Sequence, residues 1–327
     1  MRAVVIRESG GPETMSVSDI AMPEPGDGQV RIKVAYCALN PLDTHSRAGR
    51  IKWGVPPLPF TTGYEYSGRV EKLGPGVDAG LMGQRVASAG TWGGSGEYAV
   101  APAKSLVRIP DGINWQLGTV YYTSTVTAWH MLHTMARMTK GDVVLVHSAA
   151  GAVGVMTTQI AKDAGGIVIG LVGSDAKAAF AKSFGCDHVI DERADADWPK
   201  RVKDLTQGRG ADIIIDGNAG PTAPLNLKCL APLGQVIYIG AMAGQAPDVN
   251  ISMLIAGSHG VRGFVMYHAM ARTKGAEFKD IHDKLISGAW KFPLNPPLPL
   301  NDIAKAHADF ENRRTMGRTI FTIGGEV

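Results

Sequence analysis

Residues 143–155, VVLVHSAAGAVGV, set four consecutive apolar residues before a run of small ones: Ser148, Ala149, Ala150, Gly151, Ala152 and Gly154. Four apolar residues in a row suit a strand buried on both faces. Small side chains bury little area, so a cluster of them after such a strand points to something that must approach the backbone closely. The start of a helix is such a place. Its first N–H groups have no partner within the helix and its dipole end is positive, which favours phosphate where no side chain stands in the way. Against the dinucleotide pattern G-x-G-x-x-G the run reads Ser148-Ala-Ala-Gly151-Ala-Val-Gly154, with the first glycine missing. Taken alone, a tight turn of purely structural use reads equally well.

The sequence that follows decides between the two. After DVVLVHS come GIVIGLVG, DHVID, ADIIIDG and GQVIYIG, all apolar runs, separated by VGVMTTQIAKDAGG, SDAKAAFAKSFG, ADWPKRVKDLTQG and PTAPLNLKCLAPLG. The first two separators have apolar residues recurring at three or four and a terminal glycine, as helices do. The last two carry prolines near their starts, which suits first-turn positions. Strand and helix alternating at this spacing predict a doubly wound α/β fold, a parallel sheet with helices on both faces. The small residues then fall at its first strand-to-helix turn, where such sheets bind dinucleotides.

Before this region, residues 1 to about 120 read differently. AVVIRESGGPETMSVSDI suggests two strands around a Gly-Gly turn, and QVRIKVAYCAL, GRVEKLG, QRVASAG and GEYAVAP continue as short, frequently interrupted strands. That pattern predicts a barrel-like or sandwich domain. After about residue 257 the rhythm becomes irregular, ending in the strand RTIFTIG.

Composition narrows the function classes. The 327 residues are 45% apolar and 19% charged, with a formal net charge of +3 and no basic run, which gives nucleic-acid or membrane-surface binding little support. No leader pattern or membrane-spanning apolar stretch is evident. Three widely spaced cysteines, Cys37, Cys186 and Cys229, argue against a disulfide framework and for a reducing, cytoplasmic setting.

The second strand discriminates between cofactors. It ends at Leu171-Val172 with no acid to take a ribose 2′-OH; Gly173 and Ser174 follow, and Lys177 opens the next helix. A hydroxyl and a cation there favour a 2′-phosphate, hence NADPH. Ser174 and Asp175 also suit helix capping, Lys177 also suits a solvated surface, and Asp175 reaching the ribose would reverse the preference.

The chain resembles the medium-chain dehydrogenase/reductase superfamily and, within it, the zinc-independent, zeta-crystallin-like quinone oxidoreductases. The resemblance runs nearly end to end, through GGPETM, PEPGDGQVRIKV, ALNPLDTHSRAG, GYEYSGRVEKLGPGV, GQRVA, TAWHML, VHSAAGAVG, GCDHVID and GRGADIIIDGNAG. It implies a Rossmann-type domain over residues 124–259 and a GroES-like β-rich catalytic domain formed by 1–123 and 260–327. Where zinc alcohol dehydrogenases carry a cysteine ligand this chain has Asn40, and where they have Gly-His-Glu it has Gly63-Tyr64-Glu65. Their third ligand falls near Tyr122 to Thr125. Amide, phenol and hydroxyl groups do not replace thiolate and imidazole in a tetrahedral zinc site. His130 and His133 share a helix face without a nearby third ligand and read as packed helix residues.

The resemblance implies direct hydride transfer from NADPH to a quinone, with an enoyl or 2-alkenal reductase and a non-catalytic nucleotide-binding protein of crystallin type as alternatives. It places Asn40 and Thr127 at the nicotinamide end; loop and helix-lining roles compete with these. His45 stands where the family often has tyrosine, and an imidazole there would be a proton donor near neutral pH; a packing histidine is the alternative. Cofactor contacts are expected from Ala150, Gly151, Ala152, Val153 and Gly154, from Gly173, Ser174, Lys177 and Arg193, and from Asn218, Gly240, Ala241, Phe264, Val265 and Arg313. Glu192, where many NADPH-using relatives carry tyrosine, opposes a phosphate, and Arg193 beside it compensates. The family habit of joining nucleotide domains edge to edge implies a homodimer, with GVRGFVM as the edge strand.

Overall fold

A computed structural model describes residues 1–326. The chain begins with β1 (Arg2–Ile6), β2 (Met15–Asp19), β3 (Gln29–Ala38), α1 (Pro41–Arg47), β4 (Phe60–Thr61), β5 (Glu65–Leu73), β6 (Arg85–Ala89), β7 (Tyr98–Pro102) and β8 (Leu106–Arg108). Helix α2 (Trp115–His130) leads to the alternating region: β9 (Val143–Val146), α3 (Ala152–Asp163), β10 (Ile167–Val172), α4 (Asp175–Ser183), β11 (His188–Asp191), α5 (Trp198–Leu205), β12 (Ala211–Asp216), α6 (Asn226–Cys229) and β13 (Leu230–Tyr238). Then come α7 (Ile251–Gly257), β14 (Gly260–Gly263), α8 (Met266–Thr273), α9 (Phe278–Ile286), β15 (Leu298–Pro299), α10 (Ile303–Glu311) and β16 (Ile320–Thr322). Two compact units result: Met1–Thr123 with the segment from Leu294, and Ser124–Pro293.

In the first unit β3 is the organising strand. Its first half pairs with β7, its last residues with β16, and its other edge with β5, all antiparallel. The sheet continues through β6 and β8. Val30, Ile32, Val34, Tyr66, Val70 and Val86 form one apolar cluster of this unit. A second, containing Val4, Ile6, Leu39, Phe60, Ile303 and Phe321, packs α10 against the β1–β2–β4 sheet. Cys37 lies in β3 and is buried; burial, followed by the nearby Asp43 charge, pushes its thiol pKa up. Cys37, Cys186 and Cys229 are all free thiols.

In the second unit the six strands run in the order β11-β10-β9-β12-β13-β14, all pairs parallel. This is the doubly wound order, and it reverses direction between β9 and β12. All four residues of β9 are buried, as helices on both faces require. Leu145, Ile169, Leu171, Trp198, Val202, Ile214 and Val236 belong to its core.

Two expectations are corrected here. The segment PTAPLNLKCLAPLG is not one helix: Gly220–Leu225 is a 3-10 turn, α6 has four residues, and LAPLG already belongs to β13. Pro221 and Pro224 cannot donate backbone hydrogen bonds, and Pro224 sits inside the turn, so an α-helical ladder does not propagate. The nucleotide-binding unit also does not close at 259. Strand β14 pairs in parallel with β13, from Gln235↔Gly260 to Tyr238↔Gly263, and the unit continues to Pro293.

The histidines of α2 are packing residues in part. His130 is fully buried, with Nε2 3.0 Å from Glu277 Oε1 and Nδ1 2.9 Å from Thr134 Oγ1. Burial lowers its pKa against the opposing pull of Glu277. His133 follows in a wide, π-type turn, Met131–Ala136, with its ring 4.7 Å from that of Trp129.

One buried group makes stability depend on pH. His307, on α10, is 1% exposed, and burial together with the Arg47 charge pushes its pKa down to about 3. In the unfolded chain it binds a proton near its ordinary value of about 6.5, whereas the folded protein does not. Its contribution is therefore complete above that value and falls by about 1.4 kcal/mol per pH unit below it. Urea denaturation of the wild type and His307→Gln is expected to show the wild type losing about 1–2 kcal/mol more than the variant between pH 6.5 and pH 5. Parallel losses would refute the assignment.

Candidate functional site

The small-residue turn answers the question its sequence raises. Gly151 is the N-cap of α3 and supplies no capping side chain, so the N–H groups of Ala152, Val153 and Gly154 open the helix uncapped. The helix starts tight against the preceding turn. A Cβ on Gly154 would lie 2.5 Å from Ser148 O and 2.8 Å from Ala149 Cα, both backbone atoms. Ser148 itself holds a left-handed conformation (φ 51°), unusual for a residue with a side chain. Its Oγ donates to Asn218 Oδ1 at 3.1 Å, linking the turn after β9 to the turn after β12. That link spans the position where the strand order reverses, the place where open α/β sheets bind ligands.

Beneath the link lies a buried polar chain. His147 Nε2 is 2.8 Å from Asn226 Oδ1, and Asn226 Nδ2 donates to Asp216 Oδ2 at 2.9 Å. Asp216 Oδ1 accepts the backbone N–H groups of Asn218 and Ala219 at 2.7 and 3.0 Å. A carboxylate at the end of β12 therefore fixes the turn that presents Asn218. Gly240 and Ala241 lie alongside, because Met242 and Ala243 donate to the carbonyls of Gly217 and Asn218. Phe264 and Val265 follow β14, with the N–H of Phe264 donating to Tyr238 O and Val265 about half exposed. These expected residues thus follow the C-terminal ends of the unit's parallel strands, whereas Thr127 lies on α2, before them.

At the end of β10 the structure gathers the residues expected to read the ribose. A Cβ on Gly173 would lie 3.1 Å from Arg193 Nε, so the Arg193 guanidinium sits over this glycine. Ser174 does cap α4, its Oγ accepting from Lys177 N at 3.4 Å. Lys177 stands in the first turn of that helix, half-buried, with Asp175 exposed beside it. Glu192 is half-buried; its N–H donates to Val172 O and extends the β10–β11 pairing. Thr127 is half-buried on α2.

In the first unit Asn40, Pro41 and Asp43 together start α1. Asn40 Oδ1 accepts from Leu42 N at 2.8 Å, and Asp43 Oδ2 accepts from Asn40 N at 2.9 Å, a reciprocal capping box. Asp43 Oδ1 also accepts from Thr62 Oγ1 and from the N–H groups of Gly63 and Tyr64. Burial raises its pKa to about 6 against these hydrogen bonds. Asn40 Nδ2 donates to Glu65, which is fully buried and ion-paired with Arg318. Asn40 thus caps a helix, a role the sequence reading did not assign it; the two contacts use one of the amide's two N–H groups and one of its acceptor positions. Glu65 and Arg318, 253 residues apart, carried no signal in the sequence that would pair them.

His45 differs from its expected chemistry. It is half-buried in α1, and burial followed by the Arg50 charge lowers its pKa, with Glu311 acting oppositely. The ring is therefore a weaker proton source at neutral pH than an unperturbed histidine. Arg313 is exposed and left-handed (φ 56°), just beyond the end of α10. Among the described residues, no group of three or more His, Cys, Asp and Glu side chains is placed to hold a metal ion.

Comparisons with known proteins agree with this architecture. Residues 26–111 match the family of the alcohol dehydrogenase GroES-like domain, and residues 152–284 that of the zinc-binding dehydrogenases. A rat quinone oxidoreductase is 31% identical over 327 residues, covering 99% of this chain and 98% of its own. A 2-haloacrylate reductase of a Burkholderia species is 29% identical over 330 residues, covering 97% of this chain and 98% of its own. The structure of an Escherichia coli quinone oxidoreductase in complex with NADPH superposes with a TM-score of 0.91 at 26% identity, covering 98% of this chain and all of its own.

The approach of α3 to its turn is testable. Gly154→Ala places a methyl group against fixed backbone and is expected to destabilise the protein by about 1–3 kcal/mol in urea denaturation. Gly151→Ala has φ −83° and a nearest neighbour at 3.2 Å, and is expected to change stability by less than half as much. Equal effects would mean that the close approach does not set the position of α3.

Proposed function

The chain belongs to the quinone oxidoreductase branch of the medium-chain dehydrogenase/reductase superfamily, and from that premise we propose that it is an NADPH-dependent reductase that passes hydride to a quinone without zinc. It is an oxidoreductase, and the observation that carries the cofactor assignment is the edge at the C-terminal ends of the parallel strands. There an uncapped helix start stands at the strand-order reversal, and Lys177 and Arg193 stand at the end of β10 with no acid closing that strand. The first N–H groups of α3 would hold the pyrophosphate, with Gly151 leaving the helix start open to it and Gly154 keeping the helix close to the turn. Ser174, Lys177 and Arg193 would hold the 2′-phosphate, with Glu192 and Asp175 the opposing charges beside them. When bound, the dihydronicotinamide supplies a hydride from C4.

Asn40 and Thr127 are assigned to the nicotinamide end and Phe264 and Val265 to covering it; Asn40 is held in one orientation by its cap and by Glu65. His45 is assigned as a neutral hydrogen-bonding group rather than an acid. Zinc independence is supported by the donor set. Asn40 and Tyr64 occupy positions where zinc dehydrogenases carry thiolate and imidazole, and Glu65 is committed to Arg318 and Asn40. A quinone accepts hydride without a Lewis acid because the resulting charge is delocalised, which leaves positioning and polar stabilisation to the protein.

A second reading, reduction of an activated C=C bond, is favoured by the end-to-end similarity to a 2-haloacrylate reductase. Fold and cofactor serve both equally, so pocket shape separates them. NADPH oxidation measured with a panel of quinones and activated alkenes is expected to show quinones turned over fastest; alkenes alone would replace the first reading by the second. In the same assay Lys177→Ala/Arg193→Ala is expected to raise KM for NADPH by about tenfold or more while leaving that for NADH nearly unchanged. Equal changes for both would remove the 2′-phosphate assignment.

The proposed assembly is a homodimer. Strand β14 ends the sheet order, and its outer edge has no pairing strand among the described residues. Light scattering is expected to give twice the chain mass; a monomer at micromolar concentration would refute it. No helix among the described residues is long and apolar enough to cross a membrane.

A further inference from the structure

We propose that the cavity bounded by the Met131–Ala136 turn, β14 and one face of α8 is a second anion site, which takes a small phosphate-bearing molecule. The cavity has a volume of about 430 Å³. Its lining residues include Arg137, Arg262, Arg272 and His268, and no Asp or Glu. Among the described residues none of these three arginines has a carboxylate within ion-pair distance, although five other cationic side chains of the second unit do form such pairs: Lys162, Lys200, Arg209, Lys279 and Lys284.

The cluster is built by three separate elements. Arg137 ends the π-type turn in a left-handed conformation (φ 54°), with its N–H donating to Leu132 O. Arg262 extends from β14, and its Nη1 donates to Met135 O at 2.8 Å, which holds the guanidinium beside the turn. Val265, His268, Ala269 and Arg272 recur at the spacing of one helical face along the start and length of α8. Three like charges converging on one concavity repel each other, and a dianion relieves that repulsion. A tetrahedral phosphate group offers oxygens in several directions at once, which suits guanidinium groups arriving from different elements.

The cavity extends away from the nucleotide edge and meets it at Phe264 and Val265. Gln235, which also lines it, is the first residue of β13 paired with β14, and its Nε2 donates to Ala136 O at 3.1 Å, before β9 begins. The cavity therefore reaches toward the N-terminal half of the sheet, away from the turns after β9, β10 and β12. Gln235 pairs with Gly260, and Ile237 with Arg262. The Gln235 and Arg262 side chains therefore leave the same face of the sheet, whereas the unpaired edge of β14 lies in its plane. Phe264 and Val265 border the cavity as well, so its occupancy bears on the segment assigned above to the nicotinamide; that single clause rests on the proposed function.

Calorimetric titration with inorganic pyrophosphate tests the site, on nucleotide-free protein and on protein saturated with NADPH. The expected result is saturable binding that persists in NADPH, is weakened about tenfold or more in Arg137→Gln/Arg272→Gln, and weakens with added salt. The Kd for NADPH is expected to be the same in wild type and variant. Arg272→Glu serves as a second variant, and both substituted side chains are exposed. Two NADPH molecules per wild-type chain, falling to one in the variant, would equally support the site. Absence of saturable binding, or binding that both variants leave unchanged, would overturn it. If no nicotinamide nucleotide binds at all, the nucleotide-free titration still decides the anion site, so the two readings fail separately.

Discussion

The second unit depends on how closely the first turn of α3 lies against the turn that precedes it. With hydrogen in place of a side chain at Gly154, the helix start rests on the backbone of Ser148 and Ala149. The N–H groups that open α3 are then left without a capping side chain at the strand-order reversal. The helix is fitted onto the sheet and left open to an anion by two neighbouring positions without side chains, Gly154 against the turn and Gly151 at the helix start.

Around this point polar groups do the positioning. Asp216 holds the turn bearing Asn218, Asn218 accepts from Ser148, and the carbonyl of the left-handed Ser148 accepts from Gly151 N. The first unit follows similar physics. Asp43 gathers one hydroxyl and three backbone N–H groups, and Glu65 gathers Arg318 and Asn40, so α1 and β5 are joined by buried, hydrogen-bonded polar groups. At the positions where zinc dehydrogenases place metal ligands, this chain uses an amide and a phenol. The neighbouring carboxylate is occupied within the protein.

Much of the fold was legible because its signals are local. Apolar runs such as VVLV and ADIIID encode strands covered on both faces, and the spacing between them leaves room for crossover helices. The nucleotide turn was legible for the same reason, since Gly151 and Gly154 are three residues apart and act on their immediate surroundings. The reading failed where two local signals overlapped. In PTAPLNLKCLAPLG, prolines placed near a helix start also stop a ladder, and the same residues hold the beginning of β13. The end of the nucleotide-binding unit was equally hidden, because the short GVRG reads as a sheet edge only once it pairs with β13.

The sequence by itself determined the element types, the parallel sheet and the small-residue turn, since periodicity and steric size operate over a few neighbouring residues. Tertiary structure alone decided which charges meet: Glu65 with Arg318, His130 with Glu277, Arg193 over Gly173, and three arginines around one cavity. It also decided that His45 is less readily protonated than an ordinary histidine, because burial and then the Arg50 charge lower its pKa against the pull of Glu311. Electrostatic and desolvation effects act through space between residues far apart in the chain, so they are set only when the chain is folded.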